Sequence, residues 1–384
     1  MYILETRMGF HLSTNPNDRA ATVSLKGVTK TYGSVYAVKH VDLDIRPGEF
    51  VTILGPSGSG KTTILNMVAG MTVPTEGRVL INGEDVTHVP SNRRGLGMVF
   101  QHYALMPHMS IFDNVAFPLK VRRMARKEIQ EKVAQVLKIV DLEAYVDRKP
   151  KELSGGQQQR VSLARSLVYE PSIILMDEPL GALDRNLRER MQLEIRRLHT
   201  ELGITLMFVT HDQEEALTLS DRIVLLRNGE IEQQGAPGDL YFRPCTLFAA
   251  RFLGNSNNLP ARLEAVRGGR ATVHLQTGAK FDAPVGHDVS VGDDMRVIVR
   301  PENVRLTETG AATESGDVKV TGKVMDSIFL AGIIKTYVQL DSGETFISQR
   351  LTHRTAQVPE KGSDVGLVWS DADSIILPPD SSIE

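Results

Sequence analysis

The octet Gly55-Pro56-Ser57-Gly58-Ser59-Gly60-Lys61-Thr62 is suited to holding a polyphosphate. A triphosphate needs several convergent N–H donors and a cation, with little side-chain bulk in the way. Gly55, Gly58 and Gly60 permit close backbone approach, and the helix that follows would aim its unpaired N–H groups at the phosphates. Lys61 is expected to reach the β and γ phosphates. The Thr62 hydroxyl is expected to complete a Mg²⁺ shell left open by water and phosphate oxygens, with Thr63 a secondary phosphate contact. The bland alternative is a Gly/Ser turn that happens to precede a helix. It is disfavoured by the apolar run EFVTIL before the octet and the helical run TTILNMVAG within and after it.

A triphosphatase also needs an acid to support the metal and a base to aim water. Asp177 and Glu178 follow the apolar run SIILM, so they are expected at the C-terminal edge of a sheet, Asp177 supporting the metal and Glu178 orienting or deprotonating the attacking water. Taken alone, the pair could simply cap a buried strand. A third constellation is Leu153-Ser154-Gly155-Gly156-Gln157 ahead of QQRVSLARSLV, which reads as a helix with Ser154 at its N-cap and resembles a second anion site.

The elements that must carry these residues are legible as a pattern. From Thr22, short apolar runs (VSLKGV, VYAVKHVDLDI, EFVTIL, GRVLING, GLGMVF) alternate with helical stretches, and Pro47-Gly48 and Asn82-Gly83 mark turns. Between Arg122 and Pro150, Ile129, Val133, Val136, Leu137 and Val140 recur at helical spacing among charged residues, which predicts an amphipathic helical insert. The strands IILMD, TLMFVTH and RIVLLRNG then alternate with helices over RERMQLEIRRLHTEL and DQEEALTLS, which predicts a largely parallel α/β sheet covered on both faces. Past Phe252 the texture changes to short strands such as ATVHL, MRVIVRP, VKVTGKVMD and VGLVW, as in a small all-β barrel or sandwich.

Length and composition agree with this division. With 384 residues, 41% hydrophobic and 24% charged, two soluble domains are expected. A formal charge of −3 with scattered Lys and Arg disfavours a nucleic-acid partner. The single cysteine, Cys245, fits a reducing compartment such as the cytosol. No apolar run approaches the roughly 18 to 20 residues that span a bilayer, so membrane association is expected through partners. Residues 1–21 lack the features of a secretory signal and read as a flexible extension, with Met8 an alternative start.

The order of motifs carries a resemblance: the P-loop, Gln101 after GMVF, LSGGQQQR, IILMDEP, Gly181-Ala182-Leu183-Asp184, and His211 after LMFVT. Over about residues 22–240 the chain resembles the nucleotide-binding subunit of an ATP-binding cassette transporter, a P-loop ATPase domain with a helical subdomain at about 102–165. The resemblance implies ATP and Mg²⁺, and a head-to-tail homodimer, or a dimer with a close paralogue. In that dimer Ser154 and Gly156, within the Ser154–Gln157 signature, contact the γ-phosphate held by the opposite subunit. It also implies that Tyr32 stacks on adenine, that Gln101 senses Mg²⁺ and water, that Asp184 bridges the two sites, and that His211 holds the γ-phosphate and Glu178. The segment HYALMPHMSIFDNVAFPL would face two transmembrane permease subunits, with an extracytoplasmic solute-binding protein acting indirectly, so the chain would sit on the cytoplasmic face of the plasma (inner) membrane.

After a linker over 241–254, residues 255–384, with VIVRPENVRL as the most diagnostic stretch, resemble the transport-associated OB-like (TOBE) domain of importer ATPases, a regulatory element. GNSNNLPARL and SIFLAGIIKTYVQL resemble the polyamine branch (spermidine/putrescine), which also includes iron(III) and phosphonate importers; sulfate or sugar import are further alternatives. A soluble, non-transport cassette ATPase is a different reading. It is disfavoured by the single P-loop and the short helical insert.

Overall fold

The computed structural model describes residues 20–181, 183–285, 289–330, 332–352 and 358–380. The expected flexible extension over 1–21 therefore lies outside the described residues except at its end, where Ala21 is buried and its carbonyl accepts from Thr205 Oγ1 at 2.6 Å. Ala182, in the Gly181–Asp184 motif, is also outside them. The chain divides into two compact units at Pro237/Gly238.

The first unit opens with β1 (Val23–Tyr32), β2 (Val35–Ile45) and β3 (Phe50–Leu54), followed by α1 (Lys61–Ala69), β4 (Glu76–Ile81), β5 (Glu84–Asp85) and β6 (Gly97–Val99). Three helices come next, α2 (Ile111–Val121), α3 (Arg126–Ile139) and α4 (Gly155–Leu167). The unit then returns to alternation, with β7 (Ile173–Asp177), α5 (Arg185–Leu202), β8 (Thr205–Thr210), α6 (Gln213–Leu219), β9 (Arg222–Arg227) and β10 (Glu230–Gly235).

The central sheet has the order β10-β9-β3-β8-β7-β6, parallel from β9 to β6. Strands β3 and β8 are buried at every position, which is why FVTIL and TLMFVT read as continuous apolar runs and not as alternating ones. A separate antiparallel sheet, β2-β1-β4-β5, shares one apolar core with the central sheet and α1: Val23, Leu25 and Val79 join Val51, Ile53, Ile64 and Leu65. The sequence pattern alone places these strands within one largely parallel sheet. Their antiparallel pairing with one another separates them from it. On the other side, α2, α3 and α4 pack with β7 and β8, and α3 buries Ile129, Val133, Val136 and Leu137, the stripe expected from spacing.

The consequence is a single edge where chemistry can converge. The octet follows β3, Gln101 lies two residues past β6, Asp177 ends β7, and His211 follows β8. These are the C-terminal ends of neighbouring parallel strands, the edge at which open α/β sheets bind ligands.

The stretch 241–254, expected as a linker, carries helical structure. Helix α7 (Pro237–Phe242) runs into it, and α8 (Leu247–Phe252), capped by Thr246, lies within it. The buried Arg300 guanidinium holds the stretch by donating to Ala250 O at 2.8 Å and Tyr241 O at 2.9 Å. Nine strands and a short tenth follow: β11 (Asn257–Arg267), β12 (Arg270–Leu275), β13 (Lys280–Pro284), β14 (Asp294–Val299), β15 (Arg305–Thr307), β16 (Asp317–Leu330), β17 (Ile333–Leu340), β18 (Thr345–Leu351), β19 (Asp364–Ser370) and β20 (Ile375–Leu377). They form two five-stranded antiparallel sheets, β13-β12-β11-β14-β20 and β15-β19-β16-β17-β18, around a core that includes Trp369, Phe346 and Val297. This is an all-β, OB-like domain.

Candidate active site

The P-loop backbone has the shape that its glycines permit. Gly60, the N-cap of α1, has φ 101°, and a Cβ there would sit 2.3 Å from the Ala37 carbonyl oxygen, so no other residue fits. With no side-chain cap, the first N–H groups of α1 remain available to an anion. Within the loop, Ser59 is buried and its Oγ has no hydrogen-bond partner, a polar group waiting for one inside the cradle. Gly55 is buried, while Ser57 and Gly58 are exposed and Pro56 and Thr63 half-buried.

Lys61 folds back over this cradle and donates from Nζ to Gly55 O at 2.9 Å and Pro56 O at 2.8 Å. Burial pushes its ammonium below the usual lysine range, opposed by the charges of Glu178 and Asp177. Two backbone carbonyls are modest partners for a buried cation, and a phosphate would offer more.

Thr62 Oγ1 donates to Asp177 Oδ1 at 3.2 Å, which joins the start of α1 to the end of β7. Burial pushes the Asp177 carboxyl above the usual carboxylate range, Thr62 pulls it back, and Glu178 adds to the rise. A hydroxyl and one carboxylate beside a phosphate cradle match what Mg²⁺ takes from a protein, since it keeps waters and phosphate oxygens for the rest of its octahedron. Among the described residues no cluster of three or more His, Cys, Asp or Glu could hold a metal without such help.

Glu178 occupies the centre of the remaining groups. Its Oε2 accepts from Gln101 Nε2 at 3.2 Å, and its Oε1 lies 3.0 Å from His211 Nδ1. Its backbone is left-handed at φ 43°, a conformation costing a bulky residue about 1–2 kcal/mol. A bond from Glu178 N to Val209 O at 2.9 Å holds it there. Its carboxylate lies between the groups that follow β6 and β8, Gln101 and His211.

The remaining residues stand apart from this cluster. Ser154 caps α4 in a capping box with Gln157, Ser154 N donating to Gln157 Oε1 at 2.9 Å and Gln157 N to Ser154 Oγ at 3.4 Å. Gly155 and Gly156 lie against Leu183 and Leu187, where a Cβ on Gly156 would come within 2.6 Å of a Leu187 methyl. Asp184 caps α5 by accepting from Leu187 N at 3.0 Å. Tyr32 stands exposed at the end of β1, with Lys30 Nζ 5.2 Å from its ring centroid. Ser154, Asp184 and Tyr32 are exposed, whereas Gly156 is buried and Gly155 and Gln157 are half-buried; the local bonds are those of caps and a hairpin end.

Sequence reasoning missed a set of arginines that grip backbone. Arg94 donates to Met67 O and Val68 O at the end of α1, at 2.7 and 2.8 Å. Arg165 of α4 donates to Tyr103 O and Ala104 O, at 2.7 and 2.6 Å, in a turn where both residues have positive φ. Their acceptors are carbonyls, which leave no mark on the sequence.

The ABC transporter family matches residues 38–181, and the TOBE domain family matches residues 297–377. The spermidine/putrescine import ATP-binding protein PotA of Frankia alni is 44% identical over 374 residues, covering 93% of this chain and 80% of the relative. PotA of Rubrobacter xylanophilus is 42% identical over 361 residues, covering 94% of each. Two solved structures are also similar. The dimeric structure of MJ0796, a bacterial ABC transporter cassette, aligns with TM-score 0.51 at 40% identity, over 56% of this chain and 98% of that one. A dimeric post-hydrolysis state of the same cassette, bound to ADP and Pi, aligns with TM-score 0.50 at 40% identity. The P-loop, the carboxylates at the strand ends and the appended β domain thus have one explanation: the chain belongs to the import ATP-binding proteins of the ABC transporter family and is an ATP-binding ATPase of that kind.

Proposed function

We propose that the chain drives polyamine uptake, as the ATP-hydrolysing subunit of a binding-protein-dependent importer for spermidine or putrescine. The observation that carries the polyamine assignment is the extent of the likeness to PotA proteins, 42–44% identity over 93–94% of the chain, a span that includes the second unit as well as the cassette. Sulfate, sugar, iron(III) and phosphonate import are the alternatives.

Two copies pair head to tail, so that the Ser154–Gln157 signature of one meets the γ-phosphate on the P-loop of the other. The exposure of Ser154 and Asp184 and their lack of a partner in the cluster around Glu178 support this. Gly55 to Thr63 cradle the triphosphate and Tyr32 stacks on adenine. Thr62, Asp177 and Gln101 hold Mg²⁺, which when bound screens the phosphate charge and orients the γ-phosphate. Glu178 takes a proton from the attacking water, and His211 fixes Glu178 and binds the γ-phosphate; the two hydrogen bonds on Glu178 leave its carboxylate aimed with little freedom to turn. The segment from Gln101 through α2 meets two permease subunits, which places the chain on the cytoplasmic face of the plasma membrane. Residues 22–240 act as the ATPase and 255–384 as a regulatory domain. Among the described residues no helix is long and apolar enough to cross a membrane.

The test is ATP hydrolysis by the chain assembled with its permeases in vesicles, with candidate binding proteins added from outside. Stimulation by a polyamine-loaded binding protein is expected. Stimulation only by a sulfate- or sugar-loaded one would overturn the substrate, and co-purification with ribosomes or nucleic acid in place of membrane proteins would overturn the transport role.

A further inference from the structure

The first turn of α5 and the segment after β8 are joined by one side chain that the roles above leave unused. Arg188 Nη2 donates to the carbonyl of Leu183, the residue before Asp184, at 3.1 Å. Its Nη1 donates to Oδ2 of Asp212, the residue after His211, at 3.4 Å. Its Nε is buried without a hydrogen-bond partner and lies 3.9 Å from Glu215 Oε1. The Glu215 carboxyl is buried in turn, and its Oε2 accepts from Thr210 Oγ1, the last residue of β8, at 2.6 Å. That same hydroxyl accepts from Asp212 N at 3.0 Å, so the backbone on both sides of His211 belongs to the network.

A guanidinium has a rigid fork of donors, and here its branches reach two segments that carry proposed active-site residues. If the backbone at Leu183 shifts, Arg188 must shift with it or lose a charge-assisted bond, and Asp212 stands on its other branch. The unfilled Nε is a donor that Glu215, 3.9 Å away, would satisfy if the two groups moved closer.

We propose that Arg188 is a positioning residue for ATP hydrolysis, coupling the Asp184 segment to the His211 segment so that the state of one composite site is felt at the other. This rests on the catalytic reading of Glu178 and His211 given above. Glu215 tunes the coupling. Burial pushes its carboxyl up to about 7, with Asp212 adding to the rise and Thr210, Arg188 and His211 opposing it. Below that pH it is protonated and offers Arg188 no charge. Above it the ionised carboxylate is a partner for Nε.

The test uses the full-length chain in the complex with which it purifies, comparing Arg188→Lys, Arg188→Met, Glu215→Gln and the Arg188→Met/Glu215→Gln double variant. Lysine keeps the charge but cannot span the acceptors. The expected result for Arg188→Lys is a kcat lower by roughly three- to tenfold, a Hill coefficient for ATP falling toward one, and a KM within about twofold of the parent. Glu215→Gln should abolish a rise in Hill coefficient that the parent shows as pH increases through about 7, and the double variant should be no worse than Arg188→Met alone. The proposal is overturned if Arg188→Lys keeps the parental kcat and Hill coefficient, or if every variant loses kcat only in proportion to lost thermal stability. Glu178→Gln, assayed alongside, separates the two layers: normal hydrolysis in that variant would bring down the catalytic reading itself, whatever the arginine variants do.

Discussion

The Thr62 hydroxyl donates to Oδ1 of Asp177 across 3.2 Å, so the P-loop helix and the end of the strand that precedes the proposed base are joined at the point where a metal would lie. Asp177 is held above the usual carboxylate range chiefly by burial, although Thr62 and Lys61 oppose the shift. An acid raised by folding favours the fold at low pH, and that contribution is lost as pH rises from the ordinary carboxylate range through the raised value. A metal supplies the countercharge. Asp177→Asn should therefore melt slightly higher than the parent at pH 7 without nucleotide, by about 2 °C, yet lose the gain in Tm that Mg²⁺ and ATP give the parent. Thermal scans with and without Mg²⁺·ATP check both halves, and an undiminished Mg²⁺·ATP gain in the variant would remove Asp177 from the metal shell.

Glu178→Gln removes the proton acceptor while keeping a side chain of the same shape between Gln101 and His211. Hydrolysis should fall by about 10²- to 10⁴-fold with ATP binding retained. His211→Ala should lose a comparable share, because Glu178 then keeps only its bond from Gln101 and the proposed γ-phosphate contact is gone. Single-turnover phosphate release beside equilibrium ATP binding separates the steps, and a loss of binding equal to the loss of rate would mean that these residues hold the nucleotide instead of acting on the water.

Much of this site was legible in the sequence because its residues sit at the ends of runs that fold predictably. FVTIL, IILMD and TLMFVT are β3, β7 and β8, and residues following such strands emerge at one edge. The helical stripe from Ile129 to Leu137 was equally plain. What stayed hidden depends on backbone. The left-handed φ of Glu178 and the carbonyls gripped by Arg94, Arg165 and Arg188 have no residue signature, and α7 and α8 are six residues each, too short for a helical period to register.

Arg300 makes the clearest prediction about stability. Beyond its bonds to Ala250 and Tyr241, its guanidinium lies 4.2 Å from the Tyr241 ring centroid, while the Tyr241 hydroxyl bonds Glu302. Arg300→Met keeps the length and removes the donors, stranding the carbonyls of Tyr241 in α7 and Ala250 in α8, and should cost the second unit about 3 kcal/mol. Denaturant unfolding followed by Trp369 fluorescence, the single tryptophan being buried in that unit, checks it; an unchanged midpoint would show that water replaces the guanidinium at no cost.

The head-to-tail dimer can be tested without a structure of the pair. Ser154 makes its bonds within its own helix cap, while Lys61 lies in the P-loop, so a composite site would take one from each chain. Lys61→Ala and Ser154→Arg chains should each fail alone to trap nucleotide. Mixed together, they form dimers in which both lesions fall in one site and the other site is intact, so up to one ATP should be trapped per mixed dimer in a Glu178→Gln background, where hydrolysis is slowed by about 10²-fold or more. Sites built within single chains would leave every site of the mixture carrying one lesion. Failure to recover trapped nucleotide, with mixed dimers demonstrated by differential tagging, would therefore place Ser154 in its own chain's site and end the head-to-tail reading.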